Sequence, residues 1–364
     1  MLNNSKIYTA IGLMSGTSLD GVDAAIIKTD GKNLIDTGPA ITLEYNKNFK
    51  SSLFSIMGNQ NKTSKKVLDI EYKLTKYHIE VVRKLMYSNN LNSKDIDIIG
   101  FHGQTISHDP SKKFTLQIGN PIQLANKLGI NVVSNMRTAD IDAGGQGAPI
   151  VPIYHNKCFK KFDFPFIVLN IGGVSNVTWI NSNNLLAFDT GPGNSIIDDW
   201  VRFSLGIQYD DSGNLAKKGR SITKLVQELL KNDFFHMPPP KSIDRDYFNY
   251  KLIPKNLSPE DGAATAVDLI ARSIKKSEIF FPIKPSLCIV SGGGRKNASI
   301  MSCLSSSLSF PVKNIDTFGL RGDFIEAEAV AYLAVRRIIN LPTTFPETTG
   351  CKIPTSGGVI TQYK

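Results

Sequence analysis

The 364-residue chain carries 42 Lys+Arg against 32 Asp+Glu, a formal net charge of 42 − 32 = +10, with 41% hydrophobic and 20% charged residues. That length exceeds one ordinary core and predicts two domains, while the composition excludes a disordered polymer. No apolar run reaches the roughly 20 residues of a membrane helix. The lysines are dispersed (Lys47, Lys50, Lys62, Lys65, Lys66, Lys112, Lys113, Lys217, Lys218) without a basic block or interleaved aromatics, so neither a membrane nor a nucleic acid is the expected partner.

The first predicted element is a hairpin. Apolar runs from Ile7 and at Ala24-Ala25-Ile26-Ile27 flank the turn Gly16-Thr17-Ser18-Leu19-Asp20-Gly21-Val22-Asp23. Its glycines and backbone N–H groups suit a polyphosphate, and Asp20 and Asp23 suit a magnesium ion held through water. Met1 to Lys6 enters this strand directly, without the apolar core of a signal peptide, so the cytoplasm is the expected address. Cys158, Cys288, Cys303 and Cys351 form no CxxC pair and read as buried thiols of a reducing compartment.

Ser64 opens an amphipathic helix with Val67, Ile70, Leu74, Val81, Val82 and Leu85 on one face. His78 lies on that stripe and is expected to pack rather than ligate. The strand Ile96-Asp97-Ile98-Ile99 leads into Gly100-Phe101-His102-Gly103-Gln104-Thr105, which places His102 and Gln104 at a strand's carboxyl end, where open α/β sheets bind ligands. His102 and His108 match no common zinc spacing. Further on, Arg137 has the chemistry to clamp a carboxylate, or to pair with Asp140 at the surface.

A second strand–turn–strand unit spans residues 166–180 around Gly172-Gly173, and a third strand enters Ser291-Gly292-Gly293-Gly294-Arg295-Lys296-Asn297 ahead of a helix. The repetition suggests a duplicated architecture with a ligand between the halves. Phe188-Asp189-Thr190-Gly191-Pro192-Gly193-Asn194 follows a short strand and precedes a helix over 194–205. Asp189 is there either a general base fixed by turn N–H groups or the acid of an Asx turn or cap. Residues 232–259, with Pro238-Pro239-Pro240, read as an irregular excursion. Ser258-Pro259-Glu260-Asp261 then caps a helix. Asp323 and Glu326 have the spacing of a capping box for a last helix, which competes with a functional role for Glu326. No Walker sequence, GxSxG elbow or kinase HRD/DFG set is present.

Taken together, GLMSGTSLDGVDAA, GFHGQT, LQIGNP, MRTADIDAGGQGAPIVP, LNIGGVSNV, FDTGPGN and SGGGRKN resemble the anhydro-N-acetylmuramic acid kinase family, from about Ile11 to Glu347. The resemblance implies an α/β fold of two related actin-like ATPase (ribonuclease H-like) domains around a central nucleotide cleft. The expected division is 1–134, completed by 341–364, and 135–340. The implied chemistry uses ATP and Mg2+ to phosphorylate the sugar 6-oxygen while water opens the 1,6-anhydro ring. It would make Gly16, Thr17, Ser18, Leu19, Asp20, Gly21, Val22 and Asp23 the phosphate loop. Gly172 and Gly173 would be a second phosphate turn, Gly292, Gly293, Gly294 and Asn297 the adenosine contact, and Asp189 the base. Arg137, His102, Gln104, Asp140 and Glu326 would surround the sugar, and a homodimer is implied. Asn120 and Asn135 stand where the family commonly has an acidic residue. An ordinary sugar-hydroxyl kinase and a nucleotide-operated switch are the competing readings.

Overall fold

The computed structural model describes residues 6–16, 18–182 and 184–364, and divides into two compact units, 1–159 with 324–364 and 160–323.

In the first unit, β1 (Tyr8–Ser15), β2 (Gly21–Thr29) and β3 (Leu34–Glu44) form an antiparallel meander. β4 (Ile98–Asp109) joins β1 in parallel, and β5 (Phe114–Ile118) folds back on β4. β6 (Val132–Ser134) runs parallel to β4 and receives the antiparallel strand Val359–Thr361 at its other edge. The helix Lys65–Ser88 covers one face, capped by Ser64, which accepts from the Val67 N–H. Its Val67, Ile70, Leu74, Val81, Val82 and Leu85 join Ile11, Leu13, Val22, Ala24 and Ile26 in one core. His78 is packed as its position on the stripe requires: it is fully buried, bonded through Nδ1 to the Leu74 carbonyl and edge-on to Phe101.

The helix Ile325–Ile338 belongs to this unit, because the sheet is built to receive it. A Cβ at Gly12 would stand 1.7 Å from the Ala327 carbonyl oxygen, and one at Gly100 2.3 Å from that of Val330. Only glycine at both positions lets helix backbone rest on strand backbone. This helix, and the segment 135–159 with its Tyr154 hydroxyl donating to Glu328, set the unit boundaries at 159/160 and 323/324, in place of the expected 134/135 and 340/341.

The second unit repeats the plan. β7 (Phe166–Ile171), β8 (Val174–Asn181) and β9 (Asn184–Pro192) form an antiparallel meander, and β10 (Cys288–Ser291) and β11 (Val312–Asn314) extend it in parallel from β7. The meander-then-parallel order of both sheets is the ribonuclease H-like arrangement. The helices Asn194–Leu205 and Pro259–Lys276 pack together, with the Trp200 indole N–H donating to the Pro259 carbonyl. Ser258 caps the second of these through the Asp261 N–H, with proline at its first turn.

Two local expectations change. HGQT lies inside β4 rather than beyond it, since β5 supplies the ladder partners that prolong the strand. Asp323 forms no capping box with Glu326: the helix starts from Phe324, and the Asp323 carboxylate pairs with Arg295 and Lys296. All four cysteines are free thiols, Cys288 and Cys351 buried and Cys158 and Cys303 half-buried. No helix among the described residues is long and apolar enough to cross a membrane.

Candidate active site

Each unit carries its own group of candidate residues. In the first, the turn between β1 and β2 leaves Ser18 and Asp20 exposed. Gly16 is half-exposed, and a Cβ there would meet only Ser18 Oγ at 3.8 Å. Thr17 lies outside the described residues. Leu19 and Val22 send their side chains into the core, and the Leu19 N–H closes the turn on the Gly16 carbonyl. Asp20 is exposed and paired with Lys50, while the Asp23 carboxylate accepts from the Thr42 hydroxyl at 2.6 Å. Among the described residues no three His, Cys, Asp or Glu side chains gather as a metal cage. Carboxylate oxygens are the donor type that magnesium, which keeps most of its waters, takes.

Just below the turn, the Ser15 hydroxyl donates to Gln104 Oε1 at 2.5 Å and meets the Tyr45 hydroxyl at 2.7 Å. Gln104 is fully buried and also donates from Nε2 to the Thr105 carbonyl, so its amide ties β4 to β1. His102 and Arg137 are brought together. Arg137 Nε donates to His102 Nε2 at 3.0 Å, and Nη1 donates to the Gly147 carbonyl at 2.7 Å. His102 Nδ1 lies 2.9 Å from the Gly103 carbonyl and is its donor, because Nε2 is the acceptor. Burial first, and then the neighbouring guanidinium, lower the His102 pKa to about 3. The imidazole is therefore neutral and serves to orient Arg137. Asp140 is fully buried, accepting from the Gly147 N–H at 2.7 Å and the Thr349 hydroxyl at 2.6 Å. It shapes the loop that presents Arg137. Glu326 sits half-buried in the first turn of the helix Ile325–Ile338.

Asn120 and Asn135 both take part in local structure. Asn120 caps the helix Pro121–Leu128 through the Gln123 N–H, and Asn135 adopts φ 54° while accepting from the Thr138 hydroxyl.

In the second unit the two glycine-rich turns are neighbours. The Gly172 carbonyl accepts from the Asn194 N–H at 2.7 Å, and the Gly173 carbonyl from the Gly193 N–H and the Ser195 hydroxyl. These bonds lock the β7–β8 turn to the start of the helix Asn194–Leu205. Asn194 Nδ2 donates to the Ile171 carbonyl, and its side chain borders the exposed Gly293. Gly292 has φ 73°, and a Cβ there would stand 2.3 Å from Asn170 Oδ1, so both backbone sign and space exclude other residues. Gly294 packs on Ile171. Asn297 Oδ1 is committed to capping the helix Ala298–Ser307 through the Ile300 N–H. Arg295, to which the sequence assigned no role, fixes this turn: it is buried, donates to the Gly292 carbonyl, and pairs with Asp316 and Asp323.

Asp189 lies within β9, opposite Asn176, and is nine-tenths buried. It caps no helix, since Gly193 is the cap residue of Asn194–Leu205. Its Oδ2 accepts from the Ile243 N–H at 2.9 Å, and its own N–H donates to the Lys241 carbonyl at 3.0 Å. The carboxylate is thus gripped by the distant excursion. That excursion has a small core of its own, Phe234, Phe235 and Phe248, invisible to a search for helix or strand periodicity. A carboxylate fixed in this way can remove a proton from a bound water or hydroxyl.

Residues 8–363 match the family described as anhydro-N-acetylmuramic acid kinase. A curated relative of that name from Zymomonas mobilis subsp. mobilis is 44% identical, covering 96% of this chain and 99% of its own length. One from Rhodospirillum rubrum is 43% identical over 96% of this chain and 93% of its own, and one from Paramagnetospirillum magneticum 42% identical over 96% and 98%.

Proposed function

The chain belongs to the anhydro-N-acetylmuramic acid kinase family, and from that premise we propose that it converts anhydro-N-acetylmuramic acid, ATP and water into N-acetylmuramic acid 6-phosphate and ADP, in recycling of the cell wall. The C1–O6 bond of the anhydro bridge breaks as O6 bonds to the γ-phosphorus and the γ-phosphoryl group leaves ADP. Water bonds to C1 from the opposite face, and its proton passes to Asp189 and then to solvent. An acetal carbon gains positive character as its oxygen departs, so a carboxylate that activates water there lowers the barrier. A positioned base supplies about 10²–10⁴-fold, and orientation and charge neutralisation supply the rest.

The observation that carries this reading is the buried carboxylate of Asp189, held at Oδ2 by a main-chain N–H and therefore oriented before substrate arrives. Gly172 and Gly173, with the turn from Gly16 to Asp23, offer main chain to the phosphates. Gly292, Gly293 and Gly294 offer a Cβ-free surface to adenosine, with Asn297 fixing the turn's exit. Magnesium, when bound through water at Asp20 and Asp23, neutralises phosphate charge. Arg137, oriented by His102, faces the lactyl carboxylate, with Gln104, Asp140 and Glu326 supporting the sugar site. The enzyme acts in the cytoplasm and as a homodimer.

Asp189→Asn tests the assignment. The amide oxygen can still accept from Ile243, so ATP and sugar binding persist, while turnover falls by at least about 10²-fold. Near-normal turnover removes Asp189 from the role.

A further inference from the structure

Tyr45 has no part in the chemistry above, yet it bonds to both ends of the turn that joins β1 to β2. It directly follows β3, which runs antiparallel to β2 with Glu44 opposite Gly21. Its N–H donates to the Asp20 carbonyl at 2.9 Å, where the turn ends. Its hydroxyl lies 2.7 Å from Ser15 Oγ, where the turn begins. Ser15 has a single hydroxyl proton and gives it to Gln104 Oε1, so Tyr45 donates and Ser15 Oγ accepts. A chain of bonds thus runs from Tyr45 through Ser15 to Gln104, and all three residues are buried.

The ring alone does not call for tyrosine. It lies edge-on to Phe49 and Tyr77, with centroids 5.0 and 4.9 Å away, and phenylalanine would make the same contacts. What the hydroxyl adds is the bond to Ser15. The platform behind it is well tied. Phe49 stacks on Tyr77, Asn46 caps the helix Lys47–Phe54 through the Phe49 N–H, and Asn46 Nδ2 donates to the Tyr77 hydroxyl at 2.9 Å. Lys50 of that helix pairs with Asp20. Tyr45 and Phe49 belong to the core of the unit, whereas a Cβ at Gly16 would touch only Ser18 Oγ. The anchor is packed and the turn it holds is open.

We infer that Tyr45 is a positioning residue for the phosphate turn: its hydroxyl and its N–H hold Ser15 and Asp20 and so set the main chain between them before ATP arrives. The inference deepens the proposed function and rests on that turn being where the phosphates bind. A site that is correctly formed only part of the time binds its ligand more weakly by that fraction. One net hydrogen bond changes such an equilibrium by about three- to tenfold.

Tyr45→Phe in the full-length protein removes the hydroxyl and keeps the ring and the N–H. In the ligand-free variant, hydrogen exchange at the Leu19 amide, which closes the turn on the Gly16 carbonyl, should quicken about three- to tenfold. Calorimetry should show a non-hydrolysable ATP analogue binding about three- to tenfold more weakly, while KM for the anhydrosugar stays within about twofold. Ser15→Ala breaks the same bond from its other side, so the double variant should bind the analogue no more weakly than Ser15→Ala alone. Should Tyr45→Phe not fold, Ser15→Ala decides by the same exchange and binding readings. Unchanged exchange at Leu19 overturns the inference and leaves the phosphate assignment to be judged by Gly16→Ala. Faster exchange with unchanged analogue binding overturns the phosphate assignment of the turn, and the inference with it. A sugar KM that rises in step with the ATP effect, or losses that add in the double variant, overturns the inference alone.

Discussion

Replacing Arg137 by alanine separates its two tasks, which fall on different measurements. Within the fold, the change strips donors from His102 Nε2 and the Gly147 carbonyl, bonded at 3.0 and 2.7 Å. A buried acceptor left without its donor costs about 1–3 kcal/mol. His102 is buried, whereas half-buried Arg137 leaves room for water to reach Gly147, so the net loss is about 2 kcal/mol. For a unit of this size that lowers the melting temperature by about 4–8 °C. Toward substrate, hydrogen bonds to a charged group are worth about 1.5–3 kcal/mol each. A two-bond clamp on the lactyl carboxylate therefore predicts a drop in kcat/KM of about 10²–10⁴-fold. The assay compares the natural anhydrosugar with an analogue lacking the carboxylate, at a temperature well below the variant's melting point. The analogue, already a poor substrate, loses little further. Equal losses for both compounds would refute the clamp and leave Arg137 as a structural partner of His102.

The glycines divide into two kinds that mutation distinguishes. Gly12→Ala drives a methyl to 1.7 Å from the Ala327 carbonyl and should cost about 3 kcal/mol or more in chemical denaturation, whereas Gly16→Ala, with only Ser18 Oγ at 3.8 Å, should stay within about 0.5 kcal/mol while weakening ATP binding. A stability loss at Gly16 equal to that at Gly12 would contradict the distinction. The histidines give the first unit an acid-side weakness. Burial lowers His78 and His108 to about 4 and His102 and His155 to about 3, below the ordinary value of 6.5. Between those values the unfolded chain binds more protons than the folded one, so this stability is complete above pH 6.5 and is lost as pH falls. The slope reaches up to about 1.4 kcal/mol per histidine per pH unit, and unfolding midpoints that stay flat between pH 7 and 5 would refute it.

Much of the scaffold was legible because it obeys local rules. Ser64 and Ser258 announced their helices by capping chemistry, and the hairpins around Gly16 and Gly172 were bounded by apolar runs of strand length. His78 declared its burial by lying on an apolar stripe. What escaped depends on residues far apart in the chain. Asp189 was visible as an acid near a tight turn, but nothing local says that Lys241 and Ile243 hold it. The segment carrying them has an aromatic core without periodicity and reads as loop. Asp140 and Gln104 had the composition of ligand groups, yet Thr349 and Ser15 complete their bonding from distant positions. Asp323 had the spacing of a cap, but two cations competed for it more strongly than one backbone N–H. The second unit boundary fell earlier in the chain than expected, at 323/324, because Gly12 and Gly100 bind a late helix to an early sheet, a link that glycine advertises only once its neighbour is known.

The most direct measurement runs the reaction in 18O-enriched water and analyses the phosphorylated sugar by mass spectrometry before anomeric exchange. Water attacking C1 predicts one 18O at the anomeric position, the bridging oxygen retained at C6, and one phosphate per sugar, with labelling lost along with turnover in Asp189→Asn. A phosphorylated product whose anhydro ring is intact, or whose anomeric oxygen is unlabelled, would contradict it.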